Sequence, residues 1–381
     1  MMKKFYLLVC PALLALSSCS NEANENGILD KTGAISFAAY PTKSRAVGAD
    51  ITSDNMKGDN FGVAGYSNNA IYLNKGTNGV EQKWDDTNST WEYANLADLK
   101  FWPENNMDFY AYFPYTDNAS FATSNASGSV MTITGVDCSH DVLFAFAGNQ
   151  SKQTRVPLTF HHAFSKIKTL QIEMPAEGIV YKSGCKVEIS SAEFIYTRTK
   201  GDVNVDKDGA ASYNVAESNL TLKETLASAV TINSTNTSTN IIDYGTSSKG
   251  YFFATSATKV NEVTGTGALM WDGVKANIGE TSKLSTSGLV CLKLTCKVWN
   301  GTSHYYVGSA DTYGEVYIPL KGTYSDSNEV STFDAGKRYI YKIVMKDNVG
   351  FTDAGDPILT PILFSVNSVD DWSDVSVTIT L

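Results

Sequence analysis

The sequence has few of the residues and patterns that enzymes use in their active sites. It has 4 histidines in 381 residues, and the Gly-x-Ser-x-Gly, phosphate-loop and His-Glu-x-x-His motifs are all absent. His161 and His162 are adjacent, so in a strand they point to opposite faces and cannot chelate one metal ion from one side. We therefore expect no enzymatic activity, no metal and no cofactor.

Basic residues and long apolar runs are also scarce. The chain has 30 Lys+Arg against 40 Asp+Glu, and loss of the first 18 residues leaves 28 against 40, a formal charge of −12. A nucleic-acid partner needs basic patches, so this balance argues against one. Beyond the N-terminal segment no run approaches the ~18 apolar residues of a membrane-spanning helix.

Two acidic clusters are candidate sites that we interpret as turns. Asn204–Gly209 begins like a calcium-binding loop, but Val215 stands where such a loop places its bidentate glutamate. We therefore predict a hairpin turn at Asp206–Gly209. A glycosidase would need two converging carboxylates, whereas Asp370 and Asp371 are neighbours in a turn-like context.

Four cysteines lie beyond the N-terminal segment, and their spacing matches no zinc site. Cys291 and Cys296 are separated by an odd number of residues in one predicted strand, so they face opposite sides and cannot pair there. We predict that these two, with Cys138 and Cys185, are small buried hydrophobic side chains.

The sequence begins with a predicted export signal at residues 1–19. Lys3 and Lys4 precede the apolar run Phe5–Leu16, which has the length of a signal peptide. Leu16-Ser17-Ser18-Cys19 resembles the bacterial lipobox, in which the cysteine is acylated and becomes the first mature residue. We therefore predict lipid attachment at Cys19; the alternative is an ordinary secretory signal that happens to contain a cysteine.

Residues 20–46 follow as a polar tether, one strand and a loop. Ile35–Tyr40 alternates apolar with small or polar residues, as a half-buried strand does. Thr42–Gly48 is small, polar and basic, a composition typical of an exposed loop that proteases can enter.

The rest of the chain favours an all-β sandwich architecture. Short alternating runs are separated by turn residues, and there is no convincing amphipathic helix of three or more turns, although a short one is possible at Ala94–Lys100. The polar segment Gly148–Thr154 predicts a linker between domains at 47–153 and 154–381. Ser218–Ser248 is rich in Ser, Thr and Asn, and we interpret it as a long surface excursion. Further strands are predicted at Phe61–Tyr66, Ala70–Leu73, Met107–Phe113, Ser129–Ile133, Asp141–Phe146, Lys186–Thr197, Tyr251–Ala254, Gly288–Trp299, His304–Leu320, Arg338–Met345, Ile362–Val366 and Ser373–Leu381.

Several of these segments together resemble a known family. They are the lipobox, the Ile-Ser-Phe-Ala-Ala-Tyr strand with its Lys/Arg loop, and the runs Phe101–Pro103, Met107–Pro114, Val156–Ile167, Gly336–Val344 and Ile362–Trp372. Their order and spacing resemble the fimbrillin family of Bacteroidales, the lipoprotein-derived subunits of type V pili. The resemblance covers essentially the whole mature chain, and no single motif is diagnostic.

The resemblance implies two transthyretin-like β-sandwich domains in tandem and no enzymatic activity. It implies an outer-membrane lipoprotein precursor, anchored in lipid through Cys19 and exposed at the cell surface. A trypsin-like protease would cut after Arg45, or alternatively after Lys43, making Ala46 the new N-terminus. Removal of the first strand would open a groove that a strand from another fimbrial subunit fills, as in β-strand addition.

The sequence is compatible with two roles for the last segment of the chain. The last segment places four apolar residues on one face, Val375, Val377, Ile379 and Leu381. These residues either fill another subunit's groove, as in a polymerising stalk subunit, or complete the chain's own sheet, as in a tip or accessory subunit. A monomeric surface-anchored adhesin or glycan-binding lipoprotein, with a host or bacterial surface ligand, is the alternative function.

Overall fold

The computed structural model describes residues 33–41, 51, 55–173, 186–195, 199–215, 222–233, 238–245, 247, 249–253, 291–299, 305–319, 323–324, 328–329, 333–344, 363–365 and 373–380. Within these ranges the protein is all-β, which confirms the predicted fold class. Its helical residues there form two 3-10 turns, Asn55–Gly58 and Leu96–Asp98. The second turn corresponds to the short helix predicted at Ala94–Lys100.

The strands of the described residues are numbered in chain order. The first ten are β1 (Phe37–Pro41), β2 (Phe61–Ser67), β3 (Ala70–Leu73), β4 (Val80–Asp85), β5 (Thr90–Tyr93), β6 (Met107–Phe113), β7 (Ala119–Phe121), β8 (Ser129–Asp137), β9 (Leu143–Gln150) and β10 (Val156–His162). Then come β11 (Phe164–Glu173), β12 (Lys186–Ile195), β13 (Lys200–Asp206), β14 (Ala211–Val215), β15 (Leu222–Asn233), β16 (Ser238–Asp243), β17 (Tyr251–Phe253), β18 (Cys291–Trp299), β19 (Tyr305–Val307), β20 (Gly314–Pro319), β21 (Thr323–Tyr324), β22 (Asn328–Glu329), β23 (Lys337–Val344), β24 (Leu363–Ser365) and β25 (Ser373–Thr380).

The first sheet has eight strands in the order β1-β10-β9-β6-β2-β4-β5, with β3 paired to β2. Its central strand β6 points Phe109 and Ala111 to one face and Tyr110 and Tyr112 to the other, and all four side chains are buried. Side chains on both faces of β6 are buried because a separate hydrophobic core lies against each face. The aromatic run of β6 therefore reads as a strand buried on both sides.

A second sheet, β14-β13-β8-β7, covers the tyrosine face of the first. Tyr66 and Tyr110 pack into the core that also holds Val203 of β13. Each phenol donates to a backbone carbonyl, Tyr66 to Ala122 at 2.6 Å and Tyr110 to Lys207 at 2.8 Å. Burial, the larger cause, raises the pKa of Tyr110 to about 12. The tyrosines thus bury their rings without leaving the hydroxyl groups unpaired.

The hairpin turn predicted at Asp206–Gly209 is confirmed. It joins β13 to β14, which pair antiparallel from Gly201↔Val215 to Val205↔Ala211. Asp206 Oδ1 accepts from the backbone N–H of Asp208 and of Ala210, both at 2.9 Å, so the carboxylate is used by its own turn.

The remaining sheets form a second layered unit. A six-stranded sheet has the order β16-β11-β23-β25-β24 with β17 on β11, a five-stranded sheet has the order β15-β12-β18-β19 with β20 on β18, and β21 pairs with β22. Phe194 of the five-stranded sheet contacts Tyr341 of the six-stranded sheet, with ring centroids 5.9 Å apart. Both rings are buried, so the two sheets share a core.

The strand pairing differs from the predicted boundary at residue 154. Residues 156–162 form β10, which pairs antiparallel with β9 of the first sheet, and the chain then passes through Ala163 into β11 of the six-stranded sheet. The polar segment Gly148–Thr154 covers the end of β9 and its connection to β10. It was predicted as a linker between domains because such linkers and strand connections share the same polar, glycine-containing composition. The tandem transthyretin-like arrangement stays a prediction.

The surface excursion predicted at Ser218–Ser248 is wrong, since this segment contributes β15 and β16. They pair with β12 and β11 and lie at sheet edges. Ile232, Ile241 and Ile242 are buried, while many of the Ser and Thr residues face solvent. Thr is β-branched and fits an exposed strand face, so a composition read as loop is compatible with edge strands.

Gly79 allows a sensitive test of the packing against β2. It has φ +77°, and a Cβ placed there would lie 2.8 Å from the carbonyl oxygen of Val63. Gly76 has φ +57°, with nothing within 4 Å of such a Cβ. We expect Gly79→Ala to lower the free energy of unfolding by about 2–4 kcal/mol, because backbone strain and overpacking add. Gly76→Ala carries only the strain, about 1–2 kcal/mol. Urea denaturation of both variants measures this, and equal losses would contradict it.

Candidate functional site

The first strand, β1, closes one edge of the eight-stranded sheet. It runs parallel to β10 with the register Phe37↔Val156 to Pro41↔Phe160. Before the strand begins, the Ile35 N–H donates to the Lys100 carbonyl at 2.8 Å. The segment from Ile35 to Pro41 therefore lies in a slot between β10 and the residues near Lys100.

The inward face of this segment is apolar, and its two largest side chains are fully buried. Ile35 and Phe37 are both 0% exposed, whereas the outward Tyr40 is 57% exposed. The Phe37 ring meets Phe109 edge-on at 5.4 Å and Phe61 at 6.3 Å. Burial of two such side chains contributes about 3–6 kcal/mol, as an upper bound. The alternation predicted for Ile35–Tyr40 is confirmed.

The slot has the chemistry of a binding groove for an extended strand. Its floor is the core that contains Phe61, Phe109 and Phe160, and one wall is the backbone of β10. On the β1 side, β10 has no other partner strand among the described residues. Without β1, a row of β10 backbone groups and this apolar floor would both face water, a condition that favours addition of another strand.

A cavity of about 670 Å³ adjoins this slot at the Gly33 end. Gln82 lies in its wall and is 0% exposed. Gln82 was not predicted as a residue of the site, although the alternation Val80-Glu-Gln82-Lys places it on the buried face of β4. Residues 156–160 were predicted to lie in the second domain, so β10 was not predicted as a wall of the slot.

Two of the histidines lie at the end of β10, and one of them contacts a buried aspartate. His161 and His162 point to opposite sides as predicted, with His161 exposed and His162 buried. His162 Nδ1 lies 2.6 Å from Asp141 Oδ2, and both side chains are 1% exposed. In the part of the chain that the structure describes, no group of three His, Cys, Asp or Glu side chains converges as a metal site requires. His304, Asp370 and Asp371 lie outside the described residues.

Cys138 and Cys296 are free thiols buried in the structure, as predicted for these two positions. Burial raises the pKa of both, that of Cys296 to about 12, which keeps them protonated at neutral pH. Cys185 lies outside the described residues. The structure places Cys291 at the first position of β18.

Comparison with known proteins identifies the family to which this chain belongs. The family model described as Fimbrillin-like matches residues 44–356 of this chain, beginning just after β1. The chain belongs to this family. No curated protein matches it. Among solved structures, this fimbrillin-like chain is similar to a fimbrial protein from Bacteroides vulgatus, with 14% identity, a TM-score of 0.46 and coverage of 91% of this chain and 97% of that chain. It is also similar to a fimbrilin from Porphyromonas gingivalis, with 11% identity, a TM-score of 0.40 and coverage of 91% and 96%.

The predicted processing and lipidation residues of the fimbrillin-like chain stay predictions. Cys19, Lys43, Arg45 and Ala46 all lie outside the described residues, which include 33–41 and resume at 51. No helix among the described residues is long and apolar enough to cross a bilayer.

The candidate donor strand is placed inside the chain's own six-stranded sheet. β25 runs parallel to β23 with Val375↔Tyr339 and Val377↔Tyr341, and antiparallel to β24 with Ile379↔Phe364. Leu381 lies outside the described residues. To be donated, this strand would have to leave two neighbours, so its role as a donor stays a prediction.

We expect Phe37→Ala to weaken the closure of the slot. The variant loses two edge-on ring contacts and leaves a cavity, which costs about 3–5 kcal/mol for a buried Phe. Tyr40→Ala, on the exposed face of the same strand, should change stability by no more than about 0.5 kcal/mol. Hydrogen exchange at Ile35 to Tyr40 and urea denaturation measure the two effects. Comparable losses in both variants would show that the inward face does not hold the strand.

Proposed function

We propose that this chain is the precursor of a cell-surface fimbrial subunit that assembles by exchanging β1 for a strand of another subunit. The observation that carries the proposal is the position of β1. It is an edge strand held by the apolar side chains of Phe37 and of the preceding Ile35, and among the described residues it pairs with β10 alone. Membership of the fimbrillin-like family supports a structural, non-enzymatic role in fimbriae and adhesion.

The proposed route begins at the outer membrane. The precursor is exported by its signal peptide, acylated at Cys19 and held in lipid at the cell surface. A trypsin-like protease then cuts after Arg45, with Lys43 as the alternative, and Ala46 becomes the N-terminus. This cut separates β1 from the rest of the fold while β1 still occupies its slot.

The cut matters energetically because it changes how β1 is held. While covalently attached, the strand rebinds its slot at a high effective concentration. After the cut only its side-chain burial and ladder hydrogen bonds retain it, and the burial contributes about 3–6 kcal/mol at most. A competing strand with a longer or better-fitting apolar face can then replace it.

The placement of β25 favours a tip or accessory role over a stalk role. This strand lies between β23 and β24 of its own sheet. A subunit that keeps β25 accepts a strand without donating one. A stalk subunit would instead release Val375, Val377, Ile379 and Leu381 into the slot of the next copy. The monomeric adhesin or glycan-binding lipoprotein remains the alternative if β1 never leaves.

Limited trypsin treatment of the mature protein tests the proposal. We expect a new N-terminus at Ala46, because Thr42–Gly48 has the composition of an exposed loop while β1 contains no Lys or Arg. Arg45→Ala should move or abolish the cut, and Lys43→Ala serves as the matched control that should leave it unchanged. N-terminal sequencing reads the result.

Unboiled samples on a denaturing gel then separate the roles. A ladder of multimers after the cut indicates a stalk subunit, and cleavage without a ladder indicates an acceptor that needs a partner's strand. Resistance of Arg45 to the protease, with the folded protein intact and monomeric, would reject processing and leave the adhesin.

A further inference from the structure

The cavity of about 670 Å³ beside the slot of β1 has basic side chains in its wall. Residues Gly33–Ser36 form one wall, Thr90–Tyr93 of β5 a second and Lys152–Arg155 a third. Lys152 and Arg155 are both exposed, and neither forms an ion pair with another described residue. The third wall therefore offers two positive charges to a ligand that carries a negative charge.

This basic wall is fixed against the start of β1. The Ser36 hydroxyl donates to the Thr154 carbonyl at 2.5 Å, and the Val156 N–H donates to the Ser36 carbonyl at 2.8 Å. Three residues before Ser36, a Cβ placed at Gly33 would have Lys152 Nζ as its nearest neighbour, at 3.6 Å. The Lys152 ammonium group thus lies beside the point at which the described N-terminal segment begins.

An acidic residue precedes that point by three positions. Asp30 is followed by Lys31 and Thr32 and then by Gly33, and the three residues before Gly33 lie outside the described residues. Because three residues span at most about 11 Å, the chain itself keeps Asp30 close to Gly33. Covalent attachment therefore presents the Asp30 carboxylate to Lys152 at a high effective concentration.

The charges of the tether match the charges of the cavity walls. Asp30 is acidic and Lys31 is basic, and successive side chains of an extended chain point to opposite sides. The wall at Lys152–Arg155 is basic, whereas the wall formed by β5 contains the carboxylate of Glu92. A single extended dipeptide can therefore present each of its charges to a wall of opposite sign.

We propose that this cavity is the docking site of the tether residues Asp30 and Lys31, which hold the N-terminal end of β1 in its slot. The Asp30 carboxylate pairs with Lys152 and Arg155, and the Lys31 ammonium group pairs with Glu92. Exposed ion pairs are individually weak, so the docking adds a modest contribution to the hold of Ile35 and Phe37. It requires neither proteolysis nor exchange of β1.

The docking has a consequence for the proposed strand exchange, and this consequence rests on that function. The piece released by the cut carries β1 and the docked tether together. A competing strand without the charged pair has to outweigh both contributions with its apolar face. Because salt screens exposed charges, the released piece should be retained less well as the ionic strength rises.

Reversal of one charge in the full mature chain tests the docking. We expect Asp30→Lys to speed hydrogen exchange of residues 34–40 by roughly threefold to tenfold at low salt, because repulsion from Lys152 and Arg155 replaces attraction. Glu22→Lys makes the same charge change on the same tether, eleven residues before Gly33, and is the matched control that should leave the exchange rate unchanged. Mass spectrometry of peptic fragments measures the rates.

Reversal of the opposite wall completes the cycle. Lys152→Glu combined with Arg155→Glu should speed exchange to a similar extent. Addition of Asp30→Lys to that pair should restore slow exchange, since the charges have then changed places. In 1 M salt the difference between Asp30→Lys and the unmodified chain should disappear.

Three outcomes would overturn the docking. They are equal exchange rates in Asp30→Lys and Glu22→Lys, faster exchange in the combined variant than in Asp30→Lys alone, and an effect of Asp30→Lys that persists in 1 M salt. The first would leave Lys152 and Arg155 to an anion from outside the chain. None of these measurements involves proteolysis, so resistance of Arg45 to trypsin would reject the proposed function and leave the docking intact.

Discussion

The edge of the eight-stranded sheet at β10 is the constraint on which the rest of this structure depends. An open edge carries unpaired N–H and C=O groups, and here it also borders an apolar core. The chain covers it with β1, which precedes every other strand of the sheet in sequence. The same β10 continues through Ala163 into β11 of the six-stranded sheet, so one continuous stretch holds the edge and connects the two layered units.

Much of the strand pattern could be predicted because alternation is a local property. The sequence predicted β6 with the bounds Met107–Phe113 that the structure has, and the hairpin between β13 and β14 was visible in its turn residues. The strands β15 and β16 were missed because a segment rich in Ser, Thr and Asn has the composition of a loop, although Thr, which is β-branched, also fits an exposed strand face. Sheet membership was the harder problem, since pairing of β1 with β10 joins residues that are distant in sequence.

The candidate site was predictable in part for the same reason. The inward face of β1 follows from the alternation of Ile35 and Phe37, whereas the wall formed by Val156 and Phe160 depends on which strands pair. Gln82 could have been flagged as a polar residue on a buried parity. Its lack of a hydrogen-bond partner among the described residues, however, depends on the positions of Phe61 and Tyr93 in neighbouring strands, and no local pattern contains that information.

The parallel pairing of β1 with β10 has a consequence for symmetry. Parallel strands cannot be joined by a tight hairpin, so the occupant of the slot has to arrive from elsewhere in sequence or from another molecule. The slot and any strand that enters it are different surfaces, so a contact made there is heterologous and lacks a two-fold axis. Repetition of such a contact generates a closed ring, whose smallest form is a pair of molecules that exchange strands reciprocally, or an open filament with distinct ends.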